Sequence, residues 1–296
     1  MAVNVQQQLE SEARPVEPTY DEPLEACLLC GSGALRPFDR DYRGHRIVQC
    51  QTCKIRFMNP QYTDVWLRHY YSQYVSPDGD SNEERWRSMA AVRRAGKTRG
   101  LSLLGRYVDR GRLLVVGCGD GLELRIAKEL GWQVEGVDVD HETTRRVAQN
   151  EQVEVHCGQL VDLSFEAGSF DAVFLDQVIE HPKNPGEVLR KVHELLRPRG
   201  VVYLGQPNIG SLSNSVKTLM GRLGLRRRRR GKHYSTQHHI TYFRPRVFKR
   251  LLEAHFGFEV LQMTGSPKPA RWGWFRPLLR RLPFLDSSFA LIARRL

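Results

Sequence analysis

The chain has 296 residues, 41% of them hydrophobic and 26% charged, with a formal net charge of +12. This length admits one large domain or a standard domain with a small attachment, and the ordinary composition excludes wholesale disorder. No apolar run approaches the ~18–20 residues of a membrane-spanning helix. The opening stretch up to Glu25 is acidic and proline-bearing, unlike a secretory signal, which predicts a disordered leader over residues 1–24 and a cytoplasmic protein.

The excess charge is local. Arg222, the five consecutive arginines 226–230 and Lys232 form an acid-free run, and residues 266–296 hold six arginines and one lysine against Asp286 alone. The rest of the chain is close to neutral, so these two segments carry whatever contact the basic surface makes.

Four of the six cysteines form two C-x-x-C pairs, Cys27 with Cys30 and Cys50 with Cys53, separated by 19 residues. This is the spacing of a structural zinc site, in which each pair forms a turn that points both sulfurs inward. A closed tetrad of thiolates predicts a zinc ribbon over residues 25–60 whose Zn²⁺ is structural, not catalytic. An aromatic stretch over residues 62–74 then leads to a predicted helix around residues 85–107, so that residues 61–110 read as a helical linker or cap.

Beyond it, strands and helices alternate. Strands are predicted at 113–116, 133–138, 153–156, 170–176, 201–204, 258–263 and 288–293. Helices are predicted to end at Leu130 and Asn150 and to span 185–197 and 245–255. Short β-branched or apolar strands spaced by helical segments predict an α/β fold over residues 111–296, a doubly wound, mostly parallel seven-stranded sheet with a basic insertion at 205–244.

The first of these strands enters Gly117-Cys118-Gly119-Asp120-Gly121 and then a helix. Glycines there let the backbone bend sharply and approach a ligand with no Cβ in the way. Asp138 stands 21 residues beyond Gly117 at the end of the next strand, where an acid can accept hydrogen bonds from ribose hydroxyls.

From Gly111 to Asn208 the chain resembles a class I S-adenosylmethionine (SAM)-dependent methyltransferase. The resemblance rests on the strand and glycine turn, Gly136-Val137-Asp138, residues 158–171, Glu180-His181, Asn184-Pro185, residues 195–200 and Pro207-Asn208, all in family order. It implies that Gly117, Cys118, Gly119 and Gly121 border the methionine end of SAM and that Asp138 holds the ribose. Gln159 and Leu160, with Asp162 beside them, would flank the adenine, and Asp176 would line the same site. Val115 stands where the family carries an acid, and Gln159 where it carries Asp.

The sulfonium of SAM is already electrophilic, so a methyltransferase must mainly align it with a nucleophile and remove a proton from the acceptor. Histidine suits that proton transfer. His181, His238 and His239 fall at carboxyl ends of predicted strands, where open α/β sheets bind ligands, and Glu180 adjoins the first of them. These four residues are the candidate catalytic group. The cysteine tetrad, Glu180-His181 and the segment containing His239 resemble zinc-ribbon-bearing small-molecule methyltransferases, deoxysugar C-methyltransferases and ubiquinone-type enzymes among their relatives. In the sugar enzymes a Tyr and a Glu precede the later His, where Thr236 and His238 stand here. O-methylation is therefore at least as well indicated as C-methylation.

Arginine forks pair with phosphate oxygens, so the basic insertion predicts a phosphate-bearing small-molecule acceptor. The segment Arg271-Trp272-Gly273-Trp274-Phe275-Arg276 has the composition of an anionic membrane contact, which would make that acceptor lipid-linked. Two other classes compete. A zinc-containing RNA methyltransferase would use the basic surface for phosphates, but Asp176-Gln177-Val178-Ile179 replaces the Asn/Asp-Pro-Pro-aromatic motif that serves a flipped base. The other is a non-catalytic interaction protein with a vestigial SAM fold.

Overall fold

The computed structural model describes residues 17–74, 90–225, 230–265 and 285–296. The start of the helix predicted at Arg85, the arginines 226–229 and the segment around Trp272 lie outside the described residues.

Near the N-terminus, β1 (Leu35–Arg40), β2 (Arg46–Cys50) and β3 (Arg56–Met58) form an antiparallel meander. Each cysteine pair sits in a tight turn. The Gly31 amide donates to the Cys27 carbonyl at 2.8 Å and the Lys54 amide to the Cys50 carbonyl at 3.0 Å, with Gly31 and Lys54 both in the left-handed region that closes such turns. Helices α1 (Asp64–Tyr74) and α2 (Ala90–Leu104) follow.

The main sheet alternates strand and helix: β4 (Arg112–Val116), α3 (Leu122–Glu129), β5 (Gln133–Asp138), α4 (His141–Glu151), β6 (Glu154–Cys157), β7 (Phe170–Asp176), α5 (Pro185–Leu195) and β8 (Leu196–Pro207). After these come α6 (Leu212–Arg222), β9 (Thr241–Tyr242), α7 (Pro245–His255), β10 (Phe258–Gly265) and β11 (Ser288–Arg295). The strand order is β10-β11-β8-β7-β4-β5-β6, with β11 antiparallel to both neighbours and the remaining pairs parallel. Central strands must be apolar on both faces. Accordingly Leu114, Val116, Val173 and Leu175 pack into one core, while Leu113, Val115, Ala172 and Phe174 pack into the other. Helix starts are capped as the sequence dictates: Asp140 accepts from the Thr143 amide, and Asn184 from the Glu187 amide just ahead of Pro185. The connections run outward from β4 to β5 and β6, then return to its other side for β7 and β8. That reversal opens a crevice at the carboxyl ends of β4 and β7.

Three features differ from the sequence expectation. Residues 17–24, expected in the disordered leader, are ordered: Tyr20 bridges to Tyr62 and stacks on its ring, and the Leu24 amide donates to Asn59. Helix α6 occupies the insertion predicted at 205–244; its Leu212, Val216 and Leu219, with Leu223 just past its end, recur at helical spacing but remain exposed. Finally, β9 joins the N-terminal sheet, Phe57 facing Thr241, so the insertion and the cysteine module share one sheet. A two-residue strand has no periodicity of its own, and only its pairing partner reveals it.

Candidate active site

Gly117, Gly119 and Gly121 all adopt left-handed φ, at 67°, 49° and 79°. A Cβ on Gly117 would come within 2.6 Å of Val178 Cγ2, and one on Gly121 within 2.9 Å of Val147 Cγ1. Gly119 differs: a Cβ there would meet nothing within 4 Å, so open space faces the middle of the turn. The Gly119 amide donates to Asp138 Oδ2 at 2.9 Å and the Asp140 amide to Oδ1 at 3.2 Å. Burial nevertheless pushes the Asp138 carboxyl above its ordinary pKa. Cys118 faces the core, fully buried, and burial pushes its thiol up; only its backbone borders the turn. Leu160 is likewise buried in the core, next to an exposed Gln159.

The residue two before the first glycine, Val115, is core. Charge reaches this region from α2 and α3 instead. Lys97 Nζ lies 2.7 Å from Asp176 Oδ2 and also pairs with Glu123. Burial opposes the lysine charge, but the two carboxylates outweigh it and hold the pKa above the ordinary lysine value. One turn earlier, Arg93 grips Asp120 with both terminal nitrogens, at 2.8 and 3.2 Å. Sequence reasoning passed over Arg93, Lys97 and Glu123. The i, i+4 spacing of two cations on one helix was the signal available.

Beyond Asp176 the chain turns sharply at Gln177, φ 63°. Val178 then packs on Gly117, and Glu180 and His181 follow in the same loop. The Glu180 carbonyl accepts from the amides of Ile240 and Thr241 at 2.9 and 3.1 Å, bringing His238 and His239 to the same place. The three imidazoles pack on one another with ring centroids 4.3 to 5.5 Å apart. His181 Nδ1 faces the His238 carbonyl at 3.0 Å and Tyr71 Oη at 3.2 Å, and Tyr70 Oη lies 3.3 Å from His238 Nδ1. Tyr70 and Tyr71, on α1, were legible in the sequence only as part of an aromatic stretch. Burial depresses all three histidines, His181 to about 4 with the neighbouring His238 adding to the effect, and raises the Glu180 carboxyl to about 8. At neutral pH the cluster therefore presents three uncharged imidazoles. Glu180 and His239 line a small, partly open pocket together with Asn214, His233, Tyr234 and Tyr242.

Thr236 and Asp41 hold this arrangement from outside. The Thr236 hydroxyl donates to the buried Asp41 carboxylate, whose other oxygen accepts from the Arg43 and His45 amides.

The cysteine tetrad is compact: Cys27 and Cys53 sulfurs lie 3.6 Å apart, as do Cys30 and Cys50, and all four lie within 4.8 Å of one another. No pair is bonded, since a disulfide needs ~2.05 Å and all four are free thiols. Zinc–sulfur bonds of ~2.3 Å in a tetrahedron place sulfurs slightly under 4 Å apart, so the four fit one Zn²⁺.

Residues 86–263 match the family model described as a methyltransferase domain. The chain belongs to that family. This SAM-dependent methyltransferase shares its fold with a 1,6-didemethyltoxoflavin-N1-methyltransferase from Burkholderia thailandensis, solved with its substrate and S-adenosylhomocysteine. That match has a TM-score of 0.55 and 18% identity over 82% of this chain and 96% of that one. A SAM-dependent methyltransferase from Thermotoga maritima matches with a TM-score of 0.53 and 16% identity, over 78% of this chain and all of that one. In sequence, the methyltransferase is 35% identical over 103 residues to a ubiquinone biosynthesis O-methyltransferase from Xanthomonas axonopodis, covering 33% of this chain and 43% of that protein. The chain spans less than half the length of the curated relatives it matches. Among the described residues, no helix is long and apolar enough to cross a membrane.

Proposed function

We propose that this methyltransferase moves a methyl group from SAM to a hydroxyl of a small anionic acceptor seated against Glu180 and His239. One observation carries the reading: Glu180 and His239 line one pocket, and Val178, in the same loop as Glu180, packs on Gly117 of the glycine turn.

Bound SAM supplies a methyl group already activated by its sulfonium. Gly117, Gly119 and Gly121 would border its methionine end, with the open space at Gly119 admitting close approach, and Asp138 its ribose. Lys97, locked between Asp176 and Glu123, keeps two carboxylates at the mouth of the crevice compatible with each other. On the acceptor side, an uncharged His239 can take the hydroxyl proton, which charged imidazolium could not. Packing against His181 and His238 fixes its ring. Asn214, His233 and Tyr234 line the same pocket and give it a polar character suited to such an acceptor. The same base would serve an acidic carbon, so C-methylation is the neighbouring chemistry.

Anionic character is supported by Lys232, next to His233, and by Arg222 on α6; Arg230 nearby is paired with Asp39. The exposed stripe of Leu212, Val216, Leu219 and Leu223 beside these cations suits contact with an anionic lipid surface, which favours a lipid-linked acceptor. In the N-terminal module, Zn²⁺ bound by Cys27, Cys30, Cys50 and Cys53 would clip the two turns together. Incubation with methyl-labelled SAM and fractionated cell extract tests the reading. Label should enter the small-molecule or lipid fraction; label confined to RNA would overturn it. Failure to co-sediment with anionic vesicles would remove the lipid-surface part alone.

A further inference from the structure

We infer that Glu180, His181 and His239 form a second metal centre, separate from the cysteine tetrad, that takes a divalent transition cation of the zinc class. One donor atom from each of the three residues lies within 4.8 Å of the other two, so small side-chain movements bring all three to the ~2.0–2.2 Å of zinc–nitrogen and zinc–carboxylate bonds. Two imidazoles and one carboxylate are a donor set suited to such ions.

The Glu180 carboxyl is the strongest pointer. It is 1% exposed, yet both its oxygens lack a hydrogen-bond partner, a state that buried polar groups rarely occupy without an ion or a bound molecule to satisfy them. Its neighbour, His239 Nε2, stands 3.9 Å from Oε1. That is too far for a hydrogen bond and fits two ligands sharing one ion. His181 meets a further requirement. Its Nδ1 faces the His238 carbonyl, the kind of outer contact that holds metal-bound histidines in place. The two ligand segments are also tied together before any ion arrives, by the Ile240 and Thr241 amides on the Glu180 carbonyl.

Three protein ligands leave a position open, as in catalytic rather than structural zinc sites, and the cavity lined by Glu180 and His239 lies next to it. An acceptor hydroxyl could enter that position. The ion would then take over from His239 the activation of the hydroxyl, by lowering its pKa. This role rests on the acceptor reading above; the metal site itself rests on the donor geometry.

Cobalt titration of the full, metal-stripped chain tests it, because thiolate-to-cobalt charge transfer marks ions in the cysteine tetrad. The wild type should bind two equivalents, the second without the thiolate signature. Glu180→Gln and His239→Ala should each bind one, with unchanged circular dichroism and unchanged calorimetric affinity for SAM. A wild type that binds a single equivalent, or a second equivalent that persists in both variants, overturns the centre. Label transfer from SAM by the same preparations reports separately. Transfer that is undiminished when only the cysteine tetrad is loaded overturns the ion's role, whereas a second equivalent without small-molecule labelling sinks the acceptor reading and leaves the metal site standing.

Discussion

The backbone carbonyl of Glu180 accepts a hydrogen bond from the amide of Ile240 at 2.9 Å, joining the loop after β7 to the strand that completes the N-terminal sheet. A segment near the cysteine module thereby becomes part of the candidate active site. The contact makes the position of His239 depend on residues as distant in sequence as Asp41 and Tyr62, whose side chains hold Thr236.

Gly119→Ala and Gly117→Ala separate ligand contact from folding. Both residues have positive φ, so an alanine costs roughly 1–2 kcal/mol at either site. Gly117→Ala also collides with Val178, whereas a methyl at 119 meets open space. Thermal melting should show the larger loss for Gly117→Ala. Calorimetry should show SAM affinity falling at least about tenfold, some 1.4 kcal/mol, for Gly119→Ala.

Lys97→Met should be among the most damaging single changes. It leaves the Asp176 and Glu123 carboxylates side by side, largely buried and without their cation, a situation that costs about 3–5 kcal/mol. Adding Glu123→Gln should recover part of the loss in a urea melt. Equal stability of the single and double variants would contradict the pairing.

Asp41→Asn should destabilise the protein at neutral pH by about 1.5–3 kcal/mol, the worth of hydrogen bonds to a buried charged group. Burial alone would raise the Asp41 pKa, but hydrogen bonds from His45 and Thr236 outweigh it and hold it below its ordinary 3.8. With the folded value depressed, the wild type's advantage is complete above about pH 4 and is lost as pH falls through the folded value. Urea melts across that range should show the two proteins converging in acid.

His239→Ala should lower kcat by roughly 10²–10⁴, the usual worth of a proton-transfer group, while leaving SAM affinity intact. Tyr71→Phe loses the contact to His181 Nδ1 and should cost less. An equal drop in both would place the chemistry on His181.

Local pattern made the cofactor half of the protein legible. The strands 133–138 and 170–176 and the helix 245–255 were predicted with the bounds observed, because an apolar period and a cap are written in consecutive residues. The glycine turn and the cysteine pairs were visible for the same reason: their geometry is set within a few residues of the chain. The acceptor half was decided by tertiary structure. No local signal says that two residues at 241–242 pair with β3, that Lys97 reaches Asp176 and Glu123, or that Tyr71 meets His181 across 110 positions. Such contacts are chosen by the packing of whole elements, and the sequence could name His181, His238 and His239 without showing that the Glu180 carbonyl, bonded to the Ile240 and Thr241 amides, brings them together.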